Sequence, residues 1–384
     1  MPRSYFDHAA TTPMVPQAIE AMTRELGRVG NASSLHGSGR AARRVVEESR
    51  EIIAACLGAR ASEVIFTSGG TEADNLALKG AVWSNPSRPG VVTSAVEHSA
   101  VLDAVGWLGQ VGANVRVVGV DQTGRVGLAE LTAAVSDATA VVSLMWGNNE
   151  VGTLQPVSEA VEIAARHGAT THSDAVQAVG HVSVDFAASG LDLLSVSAHK
   201  LGGPYGIGAL VARREIMLTP VMHGGGQERD IRSGTLDVAA VAGFAAALEV
   251  ATQCQAAEER RLRELRALLI MEILAAVPEA VLHGPANPAD SLPGIANVCF
   301  PGCSGEALLL LLDAAGIDCS TGSACSAGVS RPSHVLLAMG CTEAEAGSSL
   351  RFSLGYTSTA ADIDALAGAL PDAVDRARIA GAVA

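Results

Sequence analysis

The sequence is short of lysine. Of its 26 basic residues all but two, Lys79 and Lys200, are arginine. Arginine therefore serves the exposed cationic positions, and a retained lysine is a candidate for work a guanidinium cannot do. One such job is imine formation, which needs a primary amine that can lose its proton. Aromatic residues are scarce at 3% and charged residues reach 17%, against 48% hydrophobic. Such a chain has a core to bury, so disorder is excluded. Long apolar runs are lacking too. The mean hydropathy of +0.30 comes from dispersed Ala and Val, and no run approaches the ~20 residues of a membrane-spanning helix. The first ten residues hold Arg3, Asp7 and His8 and no apolar stretch, so no signal peptide is expected and the expected compartment is the cytoplasm.

Paired cysteines are also wanting. There are seven, an odd number, scattered from Cys56 to Cys341, which is no disulfide framework and fits thiols kept reduced. Cys299/Cys303 and Cys319/Cys325 lack the spacing of a structural zinc site, and no metal is expected. The net charge of −14 and a pI near 5.1 argue against nucleic acid or an anionic membrane as partner.

What the chain has is alternation. Short apolar runs at 64–67, 91–93, 114–118, 140–145, 169–172, 193–197 and 208–212 read as strands. Helical patterns at 72–82, 99–108, 128–135 and 157–167 fall between them. Continuous apolar strands separated by helices predict an α/β fold with a mostly parallel sheet covered on both faces. A long helix is expected from 238 to about 277, with a solvated face at 258–266. Pro285, Pro288, Pro293 and Pro301 follow, then helices near 306–315 and 362–377. The chain is thus expected to divide into a large domain, 14–254, and a smaller C-terminal α/β domain, 255–384 with 1–13.

Six constellations carry chemistry. Thr67-Ser68-Gly69-Gly70-Thr71 ends a strand and opens a helix, where backbone N–H groups and the helix dipole make a phosphate seat. The plain alternative is an αβ turn with Thr as N-cap. Ser195-Val196-Ser197-Ala198-His199-Lys200 ends another strand with glycines behind it. Lys200 thus lies where open α/β sheets bind ligands, and is the candidate imine-forming lysine. Asp174, 26 residues before Lys200 in His172-Ser173-Asp174-Ala175-Val176-Gln177, is the carboxylate that pyridoxal phosphate needs against its ring nitrogen, or else a helix cap. Gln177 offers a donor to the ring hydroxyl. His98, in Val96-Glu97-His98, suits stacking on a cofactor ring and proton transfer, although a lone histidine is often structural. Cys325 lies in a loop of small residues running from Cys319 to Pro332, where an exposed thiol serves nucleophilic attack and persulfide chemistry. Arg351 sits in an apolar strand-like run. It needs an anion, either a substrate carboxylate or a structural partner.

In this order the motifs resemble the cysteine desulfurases of the NifS/IscS type, among the class V, fold-type I pyridoxal phosphate enzymes. The likeness extends from Tyr5-Phe6-Asp7-His8-Ala9-Ala10-Thr11-Thr12-Pro13 to Arg351–Gly355. It takes in Gly30-Asn31-Ala32-Ser33-Ser34-Leu35-His36, Asn148-Asn149-Glu150-Val151-Gly152 and the run from His223 to Thr235. Cys325 within Ser-Ala-Cys looks like the group I loop, and the wording of 226–234 and 319–340 is most similar to actinobacterial members. The resemblance implies a large domain with a seven-stranded sheet and a homodimer. It implies that Lys200 holds the cofactor, Asp174 pairs with the ring nitrogen, and His98 stacks on the ring. Gln177 and Asn149 approach ring oxygen and substrate. Gly70, Thr71, Ser197 and His199 hold the phosphate, with Thr235 reaching across from the other subunit. Asn31 and Arg351 clamp the carboxylate of L-cysteine, and Cys325 takes its sulfur, leaving alanine. The sulfur would pass to an acceptor protein such as an iron–sulfur scaffold or a thiolation enzyme. A selenocysteine lyase or a class V aminotransferase on the same fold is the nearest alternative, and a non-enzymatic sulfur-delivery scaffold the most distant.

Overall fold

The structure is a computed structural model that describes residues 3–322 and 332–381. Its main sheet has seven strands: β1 (Val64–Thr67), β2 (Gly90–Ser94), β3 (Asn114–Val118), β4 (Thr139–Ser143), β5 (Thr170–Asp174), β6 (Leu193–Ser197) and β7 (Gly208–Ala212). They lie in the order β1-β7-β6-β5-β4-β2-β3. Every pair from β6 to β3 is parallel, and only β7 runs against its neighbours, β1 and β6. β1, β2, β4, β6 and β7 are buried along their whole length. This is why they read as unbroken apolar runs, whereas β3 at the sheet edge exposes most of its residues.

β5 ends later than the sequence pattern suggests. The apolar run stops at His172, yet Ser173 and Asp174 continue the strand opposite Leu194 and Ser195 of β6. Both are buried, so the polar pair belongs to the sheet and Asp174 is delivered by a strand rather than by a turn. β4, by contrast, stops at Ser143, short of Met145. Residues 14–56, for which no element was expected, form helices Pro16–Leu26 and Gly37–Cys56. Both pack on the helix Val238–Ala276.

That 39-residue helix corrects one reading of the sequence. It contains an 18-residue window long and apolar enough to cross a membrane. Many of its apolar residues face protein instead. Val241, Phe244 and Leu248 enter the core under the main sheet, while Leu262, Leu269 and Ile273 enter a second core. The second core is built on a three-stranded antiparallel sheet, β8 (Val281–His283), β9 (Ile295–Cys299) and β10 (Ser349–Ser353), in the order β10-β9-β8. Helices Gly305–Ala314 and Ala360–Gly381 cover it, and Phe6 joins it from the N-terminus, where Ser4–Tyr5 pairs in parallel with Ile317–Asp318.

Candidate active site

β1, β2, β4, β5 and β6 all point the same way, so their C-terminal ends meet along one edge of the sheet, the place where open α/β sheets bind ligands. A cavity of about 550 Å³ opens there. Ten of the residues singled out from the sequence line it: Gly70, Thr71, His98, Asn149, Asp174, Gln177, Ser197, His199, Lys200 and Arg351. Asn31 and Thr235 do not. Both are exposed, and the Asn31 side chain is spent on its own turn, accepting from Ser33 N at 2.9 Å. Cys325 lies outside the described residues.

Lys200 closes a short turn after β6. Its Nζ donates to the Ala9 carbonyl at 2.6 Å and the Ala10 carbonyl at 2.9 Å. Burial, joined by the Arg351 charge, lowers the amine to about 8, against the pull of Asp174 and Asp7. The result is an amine that gives up its proton far more readily than a surface lysine. Asp174 ends β5, and its Oδ1 accepts from Val176 N at 2.9 Å. No helix starts here, so the helix-cap alternative fails: the bond closes a turn after β5, and the carboxyl lines the cavity. Burial raises it, and His98, the Val176 N–H and Lys200 oppose that rise. Gln177 donates from Nε2 to the Ala9 carbonyl at 2.8 Å.

His98 is the N-cap of the helix Ser99–Gln110: its Nδ1 accepts from Ala100 N at 3.1 Å. That bond leaves the ring proton of the neutral form to Nε2. Burial, and then the nearby Lys200 and His334, keep the ring below its ordinary value, with Asp174 pulling the other way. His199, stacked at 5.7 Å on Tyr205, is lowered to about 4 by burial and by Lys200.

The helix Gly70–Ser84 starts without a side-chain cap, since its N-cap is Gly69 at φ +147°, not Thr71. Its first N–H groups need partners from outside the helix. Glycine is required by space as well: a Cβ at Gly70 would lie 2.9 Å from Val176 Cγ2, and one at Gly208 only 2.8 Å from Gly69 Cα. The loop is thereby pressed against β7 and the turn after β5, with Thr71, Ser197 and His199 on the same cavity. An uncapped helix N-terminus with hydroxyls suits a phosphate. A primary amine near 8 suits an aldehyde, and a buried carboxylate between them suits a ring nitrogen. The residues present therefore fit pyridoxal phosphate.

Arg351, in the middle of β10, is buried and already paired. Nη2 meets Asp7 Oδ1 at 2.7 Å and Nη1 donates to the Asn149 carbonyl at 3.0 Å. Nε has no partner among the described residues. The structural partner expected of a buried arginine is thus present in Asp7, and the guanidinium also lines the cavity. Several residues that no motif marked as functional also gather here. Asp7 is one, quoted only as part of an N-terminal motif. Glu97, beside His98, is wholly buried and pushed up to about 8 by that burial, with the Met145 N–H and Ser94 hydroxyl pulling down. Asp74 lines the cavity and is raised by burial and by Asp174. Behind it His172 bridges Ser143 Oγ at 2.8 Å and Ser195 Oγ at 2.9 Å, held near 3, and so neutral, by burial. The available signal was a charged residue inside an apolar or glycine-rich run.

Comparison with known proteins agrees with this geometry. Residues 4–366 match the aminotransferase class-V family. The IscS-like cysteine desulfurase of Mycobacterium tuberculosis is 54% identical over 99% of this chain and 98% of its own length. The cysteine desulfurase IscS of Clostridium botulinum is 40% identical over 97% and 95%. Among solved structures, a NifS-like protein superposes with a TM-score of 0.91 at 34% identity, covering 97% of this chain and all of that one. A structure described as SspA in complex with cysteine superposes with a TM-score of 0.79 at 32% identity, covering 93% of this chain and all of SspA. With its fold, its cavity and these relatives in agreement, the chain belongs to the class-V aminotransferase family and, within it, to the pyridoxal-phosphate-dependent cysteine desulfurases, enzymes that mobilise sulfur from L-cysteine.

Proposed function

We propose that Lys200 is the lysine that holds the cofactor and moves the substrate's proton, and that Cys325 accepts the sulfur. The observation that carries this reading is the meeting of Lys200, Asp174 and Arg351 in one cavity, with the amine lowered to about 8. When bound, pyridoxal phosphate supplies an aldehyde for imine formation and a protonated ring that takes up the electron pair released at Cα. Asp174 would be the carboxylate that keeps the ring nitrogen protonated, and His98 would stack on the ring. Gly70, Thr71, Ser197 and His199 receive the phosphate, and Gln177 and Asn149 serve the ring oxygen and the substrate. Arg351 presents a guanidinium oriented by Asp7 to the substrate carboxylate, which Asn31 helps to hold. The Lys200 amine, once free, accepts the Cα proton.

The Cys325 thiolate attacks the substrate Sγ. An S–S bond forms, the C–S bond breaks, and its electron pair stays with the substrate carbon, which is protonated and leaves as alanine. Cys325 is left as a persulfide. Connectivity supports this role: Cys325 is three residues beyond Gly322, which lines the cavity. An extended chain spans at most ~3.6 Å per residue, so its Cα stays within roughly 11 Å of that glycine.

Further parts of the reading concern the assembly. The segment that carries Asn31 also carries Val29 and Leu35, each 89% exposed. Large apolar side chains so placed support a homodimer that covers them and lets Thr235 serve the neighbouring cavity. The passage of Val238–Ala276 from one core to the other supports two domains, 14–254 and 255–384 with 1–13. The six cysteines of the described residues are free, which supports a reducing compartment, the cytoplasm. A protein acceptor, such as an iron–sulfur scaffold or a thiolation enzyme, would receive the sulfur.

The test is to incubate the cofactor-loaded protein with L-cysteine and a reductant, and to quantify alanine and sulfide, with Cys325→Ala alongside. Equal alanine and sulfide from the wild type, both lost in the variant, is the expected result. Alanine formed at the wild-type rate by Cys325→Ala would overturn the role given to that thiol.

A further inference from the structure

Glu150 is used by nothing described so far, yet it is 2% exposed at the wall of the cavity. No cation pairs with it among the described residues. A buried carboxyl is costly unless its oxygens are satisfied, and one of these is satisfied in an unusual place. Ser333 Oγ donates to Glu150 Oε2 at 2.5 Å while accepting from Leu336 N at 3.2 Å. The same Oε2 lies against Gly322, where an added Cβ would come within 3.0 Å of it. Gly322, and Ser333 one position after Pro332, lie on either side of the segment in which the sequence carries Cys325. Two stretches of chain, eleven positions apart in sequence, are thus brought to one oxygen atom.

The backbone that carries Glu150 is fixed. Glu150 N and Val151 N both donate to Asn148 Oδ1, at 2.8 and 2.9 Å, and Asn148 Nδ2 donates to the Val96 carbonyl at 2.9 Å. Each flanking stretch has a second attachment to the cavity wall. Ser320 exchanges backbone hydrogen bonds with Arg351, and His334 Nε2 meets the Glu97 carbonyl at 3.0 Å. Burial raises Glu150, while Ser333, His334 and Arg351 act to lower it.

From this geometry we propose that Glu150 is a positioning residue: it holds Ser333 by a hydrogen bond, packs against Gly322, and so sets how the two chain stretches flanking the thiol-bearing segment meet the cavity. The inference rests on the reading that Cys325 is the sulfur acceptor. Its consequence is a split between two stages of the reaction. Holding the cofactor and taking up L-cysteine need only the strand-end residues, whereas release of alanine needs the thiol in place.

The experiment compares Glu150→Ala, Glu150→Gln, Ser333→Ala and the Glu150→Ala/Ser333→Ala pair as cofactor-loaded proteins. Two quantities are read: the absorbance change of the bound cofactor on adding L-cysteine, and the rate of alanine release. The clasp predicts a normal absorbance change in all four. It predicts alanine release reduced roughly tenfold in Glu150→Ala and Ser333→Ala, as misplacement of a reacting group does. Glu150→Gln keeps an acceptor for Ser333 and restores most of the rate. The double variant is no worse than either single one, because both remove one contact. Wild-type alanine release in Ser333→Ala, damage by Glu150→Gln equal to that of Glu150→Ala, or loss of the absorbance change with the alanine rate would each overturn the proposal. Failure of the underlying reading is separate: it shows as alanine released by Cys325→Ala, whatever the Glu150 variants do.

Discussion

The cavity has two unlike walls. One is the C-terminal edge of the main sheet, where β1, β2, β5 and β6 each deliver a residue within a few positions of the strand end. The other is assembled from the small sheet and the chain around Gly322 and Ser333, held by contacts between distant segments: Arg351 with Asp7, Ser333 with Glu150, His334 with the Glu97 carbonyl. The first wall is as rigid as the buried sheet that carries it. The second joins the small sheet to the chain around Gly322 and Ser333, and there it depends on a few side-chain hydrogen bonds besides the backbone pair of Ser320 and Arg351. Under the proposed roles the division is functional, with the rigid wall holding the cofactor and the tied wall bringing thiol and substrate carboxylate to it.

The largest effect that would break this comparison is at Lys200. Lys200→Ala is expected to remove the absorbance of covalently held cofactor and to lower alanine formation by roughly 10³–10⁴-fold, the scale of a lost proton-transfer group. Lys200→Arg should be equally inactive, because a guanidinium keeps its proton. Retained absorbance in either variant would move the cofactor off this wall. Arg351→Lys probes the other wall. It keeps a charge for Asp7 but loses the planar fork, so kcat/KM for L-cysteine should fall roughly 10–100-fold, the scale of a charge-assisted hydrogen bond. The cofactor absorbance should be untouched; if it is lost instead, the two walls are not separable.

A third expectation sharpens the account of the rigid wall. Protein stripped of cofactor should take up pyridoxal phosphate covalently only through the neutral Lys200 amine. With that amine lowered to about 8, the neutral fraction rises roughly tenfold between pH 7 and well above 8, and then levels. Stopped-flow uptake across pH should therefore bend near 8. A rate still climbing toward 10 would mean that burial does not activate the lysine.

The two walls also differ in how far they could be read in advance. Strand ends, paired glycines and a scarce lysine are local signals, and the seven strands and the cavity positions of Lys200, Asp174, His98 and Gly70 were legible because each lies at or within a few residues of one strand end. Lys79, the other lysine, shows the limit of the scarcity argument. It sits 4.6 Å over the Trp107 ring, a packing role that composition does not distinguish from chemistry. The tied wall gave no such signal. Asp7 and Arg351 are 344 residues apart, and Glu150 and Ser333 183, so their meeting is a product of tertiary folding. β5 ran past its apolar pattern for a related reason. Burial by neighbouring strands, not side-chain polarity, decides where a central strand stops.

The smallest expected effect concerns the joint between the walls. Glu97 Oε1 accepts from Ser94 Oγ at 2.7 Å and from Met145 N at 2.9 Å, and its backbone carbonyl receives His334. Raised to about 8 in the fold, its carboxyl keeps its proton between pH 5 and 8, where the unfolded chain, ionising near 4.5, has lost it. The native state binds more protons in that window, so this group makes stability fall as pH rises, by at most about 1.4 kcal/mol per pH unit. Glu97→Gln keeps the acceptor and cannot ionise. The variant's denaturation midpoint should therefore decline less steeply from pH 5 to 8 than the wild type's, with the curves diverging toward pH 8. Parallel curves would show that Glu97 ionises freely in the fold. The joint would then carry a buried negative charge next to His98 and Asp174, and the rigid wall would owe its electrostatics to a carboxylate rather than to a neutral acid.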